Sequence, residues 1–384
     1  MPHFLRHIGR ERNLFHGSQA EGGPPPARGA RVSETGPSRV GRGVAWAALA
    51  ALLFGAATPL IKAASADTGA LVVGALLYLG ASLESWTAAL VSRRRGRGAP
   101  PVFIRGAAWR LGAIALVGGA LAPALLVAGL GHADAATASL LLALEAPFTV
   151  LLARLFLGER VGRRVLTAAT LIFAAAALLA APRGAPASAV GVALVAAATL
   201  AWATDNLLSR ALADDDPVVV VAWKGLLGSA ASALTALALA ERPPHLESAL
   251  ALMALGALGY GVSLQLYLRA QSLMGAARTA SVFAAGPFVG TAVALAAGAP
   301  SPGWRFWCAM GLMLVGVGLH VSERHAHAHA HAAIEHEHMH THDDLHHDHR
   351  HDVPPPGPHS HVHRHEAITH EHEHGEDLHH RHRH

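Results

Sequence analysis

Between residues 43 and 319 the chain is a near-continuous series of apolar stretches rich in Ala, Leu, Val and Gly, broken only by short polar or Gly/Pro-bearing segments. About 20 apolar residues are needed for a helix to cross the hydrocarbon core. In that solvent each stretch must satisfy its own backbone groups, which a helix does. Spans are expected near 44–64, 69–91, 109–130, 134–154, 163–181, 189–210, 217–239, 247–268, 276–297 and 303–321. Breaks such as SRRRGRGAPP, LGERVGRR, ADDDP and ERPPH separate them, and the two spans flanking 131–133 are the least separated. The expected fold class is therefore all-α, an integral membrane protein of ten transmembrane helices embedded in a lipid bilayer.

The flanks differ in kind. Residues 1–42 are rich in Gly, Pro and Arg, centred on PPPARGARVSETGPSR, and residues 322–384 are dominated by His with a PPPGP interruption. Neither buries enough apolar surface to offset its ordering entropy, so both are expected to be disordered. The single cysteine, Cys308, excludes an internal disulfide and a Cys-rich zinc site, and its apolar surroundings predict a small packed side chain. The N-terminus lacks the charged-then-apolar pattern of a signal peptide, so insertion is expected to use the first span itself.

Basic residues set the orientation. With the N-terminus inside, 20 Lys and Arg fall in inside segments and 4 outside, the latter being Lys62, Arg183, Arg242 and Arg305. Cytoplasmic loops carry the Lys/Arg excess, so both termini are expected in the cytoplasm, at a cell (plasma or inner) membrane. The basic balance then reflects topology, and no nucleic-acid partner is implied.

The chain also repeats. GVAWAALAALLFGAATPLIKA at 43–63 aligns without gaps to GVALVAAATLAWATDNLLSRA at 191–211, with Phe54 on Trp202 and Lys62 on Arg210. Pro147-Phe148 meets Pro287-Phe288 at a shift of 140. Halves at 43–181 and 189–321 hold five spans each, and an odd number forces the second half to insert upside down. Inverted repeats are a hallmark of secondary transporters, with the substrate near the midplane between halves.

Ionisable residues inside spans cost about 2.5–3.5 kcal/mol at the membrane centre on insertion scales and face cavities or partners. Glu145 and Glu84 are of this kind. Glu145 precedes Pro147, which removes a helix hydrogen bond and leaves a carbonyl free nearby. Glu145 is read either as a proton- or substrate-coupling acid or as a structural link between helices. Lys224 either holds an anionic group or an internal acid, or snorkels to the surface. Asp205 and Asn206, near the cytoplasmic end of span six, line an inner mouth or satisfy local backbone. Thr58-Pro59, at the matching place in span one, is expected to open that helix. Gln265, Tyr260 and Tyr267 lie on span eight, Tyr267 suiting an interfacial belt. Glu159 beside Arg160 reads as an edge salt bridge.

The tail from His320 onward holds 24 of the 29 histidines. Neutral imidazole is the commonest protein ligand for divalent transition metals. The candidate ligands are His325, His327, His329 and His331; His336, His338, His340 and His342; His346, His347 and His349; His361, His363 and His365; His370, His372 and His374; and His379, His380, His382 and His384. No cofactor is required, but Zn²⁺, Ni²⁺, Co²⁺ or Cu²⁺ is expected to bind. That binding should weaken as pH falls through the imidazole range near about 6.5.

LEAPFTVLLARLFLGERVGRRVLTAATLIFAAAALLA at 144–180 resembles the EamA-like domain of the drug/metabolite transporter superfamily. Glu145, Pro147 and Leu157-Gly158-Glu159 stand where that family has its Glu-x-Pro and Leu-Gly-Glu. TLAWATDNLLSRAL at 199–212 is similar to the opening helix of a second such unit, and 258–288 to its later helices. The resemblance implies transport of small molecules by alternating access, and it aligns Lys224 with a basic position of the family. The chain departs from the pattern at Ala285, which stands where Glu145 does in the first half, and at Ala297-Gly298-Ala299. It also has Leu76-Leu77-Tyr78 where a basic residue is common.

Two functional readings stand. One is a carrier of small metabolites with a cytosolic metal-binding tail. The alternative is a divalent transition-metal transporter, or a metal-regulated exporter. No nucleophile, phosphate loop or nucleotide motif supports an enzyme, and a homodimer is left open.

Overall fold

The structure, a computed structural model, describes residues 37–94, 108–157, 161–180, 188–209, 216–274, 276–300 and 302–321, and, in the tail, 326–331, 334–340, 359–365 and 368–373. Among them are ten helices long and apolar enough to cross a membrane. They are α1 (Val40–Ala64), α2 (Ala70–Arg94), α3 (Ala108–Leu130), α4 (Ala135–Phe156), α5 (Arg163–Ala180), α6 (Ala189–Ser209), α7 (Val218–Ala238), α8 (Leu246–Gln271), α9 (Arg278–Ala296) and α10 (Trp304–Val321). The poorly separated third and fourth spans part at 131–134, where the Asp134 side chain accepts from Thr137 N and caps α4. The helical segment containing α1 begins earlier than expected, at Pro37, inside the stretch anticipated as disordered. Proline suits a first turn, where its missing N–H has no intrahelical partner.

The packing obeys the repeat. Exchanging α1 with α6, α2 with α7, α3 with α8, α4 with α9 and α5 with α10 maps the contact pattern onto itself. α1 packs on α8 and α9, and α6 packs on α3 and α4; α2–α7, α4–α9 and α5–α10 map onto themselves. This is an all-α body of two inverted five-helix repeats.

The forces differ from those in a water-soluble core. Lipid is as apolar as Leu, so helices associate through close packing and hydrogen bonds. Leu237 is accordingly 79% exposed and Leu234 69%, as lipid-facing side chains are. Small residues let the inner helices touch. A Cβ on Gly228 of α7 would sit 2.8 Å from Gly119 Cα of α3. One on Gly80 of α2 would collide with the Met253 carbonyl of α8, and one on Gly256 of α8 with the Leu77 carbonyl of α2. Serines lace α2 to α7 in both directions: Ser82 Oγ donates to Ala222 O and Ser229 Oγ to Ala75 O, both at 2.8 Å. In α5 the buried Ala168, Ile172, Ala175 and Leu179 recur at helical period, and Phe306, Ala309, Met313 and Gly316 do so on α10; these stripes pack together.

Repeat-related helices are interrupted at matching depths. α3 loosens to a π-helix over Ala115–Leu121, and α8 does the same over Ala257–Val262. α4 tightens to 3₁₀ over Leu142–Leu144, just before Glu145. α9 has a turn at 284–285 just before Gly286-Pro287. Such irregular backbone at membrane depth is tolerated where protein surrounds it. By contrast, the helix runs unbroken through Thr58-Pro59, so the expected opening there is absent. Cys308, expected to be packed, is exposed on α10.

Within the tail the described residues form short strands. Strands β1 (Ala326–His331), β2 (Ile334–His340), β3 (His359–His365) and β4 (Ile368–Glu373) form two antiparallel ladders, β1 with β4 and β2 with β3. Alternation of His with other residues is a period-two pattern, which matches a strand.

Candidate functional site

α3, α4, α6, α7 and α8 bring polar and aromatic residues together. The 3₁₀ turn carries Glu145 to the start of the next helical stretch of α4, with buried Pro147 behind it. Asn206 Nδ2 of α6 donates to Glu145 Oε1 at 2.7 Å. The neighbouring Asp205 pairs with Lys224 of α7 through Oδ2 and Nζ; only 5% and 14% of these side chains are exposed. Lys224 therefore ends at an internal acid and does not snorkel. Asp205 is buried against Gly118 of α3, where a Cβ would strike its carboxyl group.

Gly118 lies within the π-helical segment, and its carbonyl accepts twice. Tyr78 Oη donates at 2.6 Å and Trp202 Nε1 at 3.2 Å. Those rings flank Tyr260, whose centroid is 5.6 Å from Tyr78, 6.4 Å from Trp202 and 6.0 Å from Phe54. One side of the centre is thus charged and the other aromatic. Tyr267 packs edge-on against Phe283 at 5.0 Å.

Glu84 and Gln265 form a separate group on α2 and α8. Gln265 Nε2 donates to Glu84 Oε2 at 2.6 Å, and Ser85 Oγ does so at 3.3 Å. Glu84 is six residues from Tyr78 along α2, about 9 Å by helical rise. Thr58 is buried on α1, next to the point where Ala57 meets Gly259 of α8. Gly158 and Glu159 lie outside the described residues.

Most of the helix residues read from the sequence as candidates therefore fall into two clusters, and Thr58 lies apart from both. Tyr78, Trp202 and Gly118 were not among them. Trp202 aligned with Phe54 in the repeat, and Tyr78 stood where a basic residue was sought; these were the available signals. Among the described residues no group of three His, Cys, Asp or Glu side chains is gathered as a metal-ligand set.

The far ends of the helices are tied separately. Lys62 Nζ, at the end of α1, donates to Leu130 O at 2.7 Å and also to Ala133 O. Glu241 Oε2 accepts from Leu71 N and Val72 N, both at 3.0 Å, and so caps α2 from the other repeat. A cavity of about 410 Å³ opens at this end, lined by Lys62, Asp67, Thr68 and Leu130 among others. It holds neither Glu145 nor Asp205.

Comparison with known proteins gives the same picture. The sequence model of the EamA-like transporter family matches residues 41–181 and again residues 189–322. A crystal structure of another protein aligns with a TM-score of 0.54 at 21% identity, covering 74% of this chain and 95% of the other, a likeness of fold alone. No curated protein matches the sequence.

Proposed function

Because the chain belongs to the EamA-like transporter family, we propose that it is a secondary transporter of small metabolites that works by alternating access between its two repeats. Substrate binds at the centre of the bundle, and Glu145 is the coupling or binding acid. The observation that carries this reading is the Glu145–Asn206 contact beside the Asp205–Lys224 pair. Asp205 has its counter-charge at hand, whereas among the described residues the side-chain partner of the Glu145 carboxyl group is a neutral amide. An acid left without a direct ion-pair partner at membrane depth is costly and marks a functional position. The protein lies in the cell membrane with both termini in the cytoplasm, and its His-rich tail binds divalent transition metal as an accessory to the carrier.

Proteoliposomes loaded with a defined mixture of amino acids, nucleobases and sugars test this reading. One class should leave faster than from empty-membrane controls, and the Glu145→Gln protein should lose that efflux. Zn²⁺ flux without efflux of any metabolite class would overturn it in favour of metal cargo.

A further inference from the structure

The two ends of the bundle are not packed alike. Leaving aside α5 and α10, neighbouring helices fall into two groups, α1, α2, α8 and α9 against α3, α4, α6 and α7, and exchange of the repeats swaps the groups. The groups meet along α2–α7 and α4–α9. The α2–α7 joint is symmetric to the residue. A shift of 147 carries Ser82 and Ala75 onto Ser229 and Ala222, so the two serine bonds across it are copies of one another.

Two further joints between the groups are made at the end that holds Lys62. Ala135–Leu141 of α4 packs on α1, and Ala122–Leu130 of α3 packs on α2. Exchange of the repeats turns that end into the opposite one, and these joints into α6 with α9 and α7 with α8. Among the described residues α6 and α9 make no comparable contact, and α7 only grazes the last stretch of α8, Ser263–Met274. Asn206, whose amide bonds to Glu145, lies toward that second end of α6 and is exposed. One end of the bundle is closed and the other parted.

Bonds between the groups hold the closed end. Lys62 belongs to α1, and the carbonyls that accept from it, Leu130 O at 2.7 Å and Ala133 O, finish α3 and lead into α4. The last carbonyls of a helix have no partner within it, and they lie at the negative end of its dipole, where a cation is favoured. Lys62 thus caps α3 from the other group. Glu241 adds a second bond of this kind. It is tied to the end of α7 by Glu241 N donating to Ala236 O at 2.9 Å, and its carboxylate caps α2. The shift of 147 makes Gly69, before α2, the counterpart of Asp216, before α7. Asp216 caps its own helix, accepting from Val218 N at 2.9 Å. Gly69 has no side chain to do so, and a Cβ there would strike the Glu241 carboxylate. The cap that is local at the parted end is borrowed across the groups at the closed end.

We propose that Lys62 is a latch that holds this end of the carrier shut and lets go when the two groups rock apart. With the termini in the cytoplasm, the closed end is the outer one and the structure faces inward. This rests on the reading of the chain as an alternating-access carrier, and adds which face is shut and which bond shuts it. The cavity of about 410 Å³ beside Lys62 lets the released ammonium group enter water instead of lipid. One hydrogen bond to a charged group is worth enough to shift a two-state ratio by about tenfold.

The test uses the full chain with Cys308→Ser in proteoliposomes, and reads distances between spin labels by pulsed electron resonance. One pair, Ala66→Cys with His132→Cys, spans the closed end between the α1–α2 and α3–α4 turns. The other, Ala108→Cys with Ala280→Cys, spans the opposite end between α3 and α9. All four positions are exposed. Lys62→Met should raise the long-distance population of the first pair about tenfold and shorten the second pair in the same fraction of molecules. Lys62→Arg, which keeps a cationic donor, should leave both pairs near wild type. Lys62→Gln, which keeps a neutral donor, should fall between. Removing a charge from a span does not hinder insertion, and the Gln variant gives a second reading of the same bond. Unchanged distances in the Met and Gln variants, or equal opening in Lys62→Arg and Lys62→Met, would overturn the latch and leave alternating access intact. Lengthening of the first pair without shortening of the second would overturn the two-ended motion on which the latch rests.

Discussion

Asp205 and Lys224 neutralise each other in a nearly closed setting. Removing one partner of a buried pair leaves an unmatched charge, which costs about 3–5 kcal/mol. Lys224→Met should therefore lower the unfolding temperature in detergent sharply, and adding Asp205→Asn should restore most of it. Glu145→Gln should behave in the opposite way. The amide keeps the size of the acid and can still bond to Asn206, so the protein should insert and stay monodisperse while transport is lost. Normal flux by the Gln variant would return Glu145 to a structural role. Ala285→Ser, at the repeat-related position, should leave transport near wild type. These four polar residues were legible from the sequence because charge is conspicuous in an apolar helix. Their pairing was not. Where Ala, Leu and Val surround a helix on all sides, little in the pattern fixes its rotation, so which acid would meet Lys224 was open. Gly118 was hidden for a related reason: glycine is common throughout the spans, and only the crossing reveals which one adjoins Asp205.

At the scale of helices, close approach outweighs hydrogen bonding. An interhelical hydrogen bond in a membrane is worth about 0.6 kcal/mol on average. Ser82→Ala and Ser229→Ala should each be nearly silent in thermal melts. Gly80→Val and Gly256→Val should not be, since each puts a Cβ onto the backbone of the partner helix; overpacking of this kind costs about 1–3 kcal/mol or more. Because the repeat exchanges α2–α8 for α7–α3, Gly228→Val at the latter crossing should give comparable damage by the same assay. Span number and approximate limits were readable from hydropathy, since length and apolarity are set by the bilayer. The π-helical segments were not, because they keep the same composition as the helix around them. The glycines within them, Gly118-Gly119 in α3 and Gly259 and Gly261 in α8, were the only trace. Thr58-Pro59 misled for the converse reason: proline removes one bond, and packing against neighbouring helices can hold the rest of the helix together.

For the whole molecule, the excess of basic residues in alternate loops predicts both tails on the cytoplasmic side. Reporter fusions at Gly69, Arg97, Ala185 and His384 should read outside, inside, outside and inside. An outside signal at His384 would reverse the placement of the tail.

The repeats match in backbone but not in chemistry. Glu145 has Ala285 as its counterpart, and Asp205 and Asn206 face Ala57 and Thr58 in the alignment of 43–63 with 191–211. A carrier of two equivalent halves would present mirror-image states of equal energy to the two sides of the membrane. With unlike halves, a carrier working by alternating access would have a skewed resting population and an affinity that differs between the two faces. Thermodynamics allows no net pumping from that skew alone. In a passive exchange any gain in affinity on one face must be matched by a slower return step, and the ratio of maximal velocity to half-saturation concentration has to come out the same in both directions.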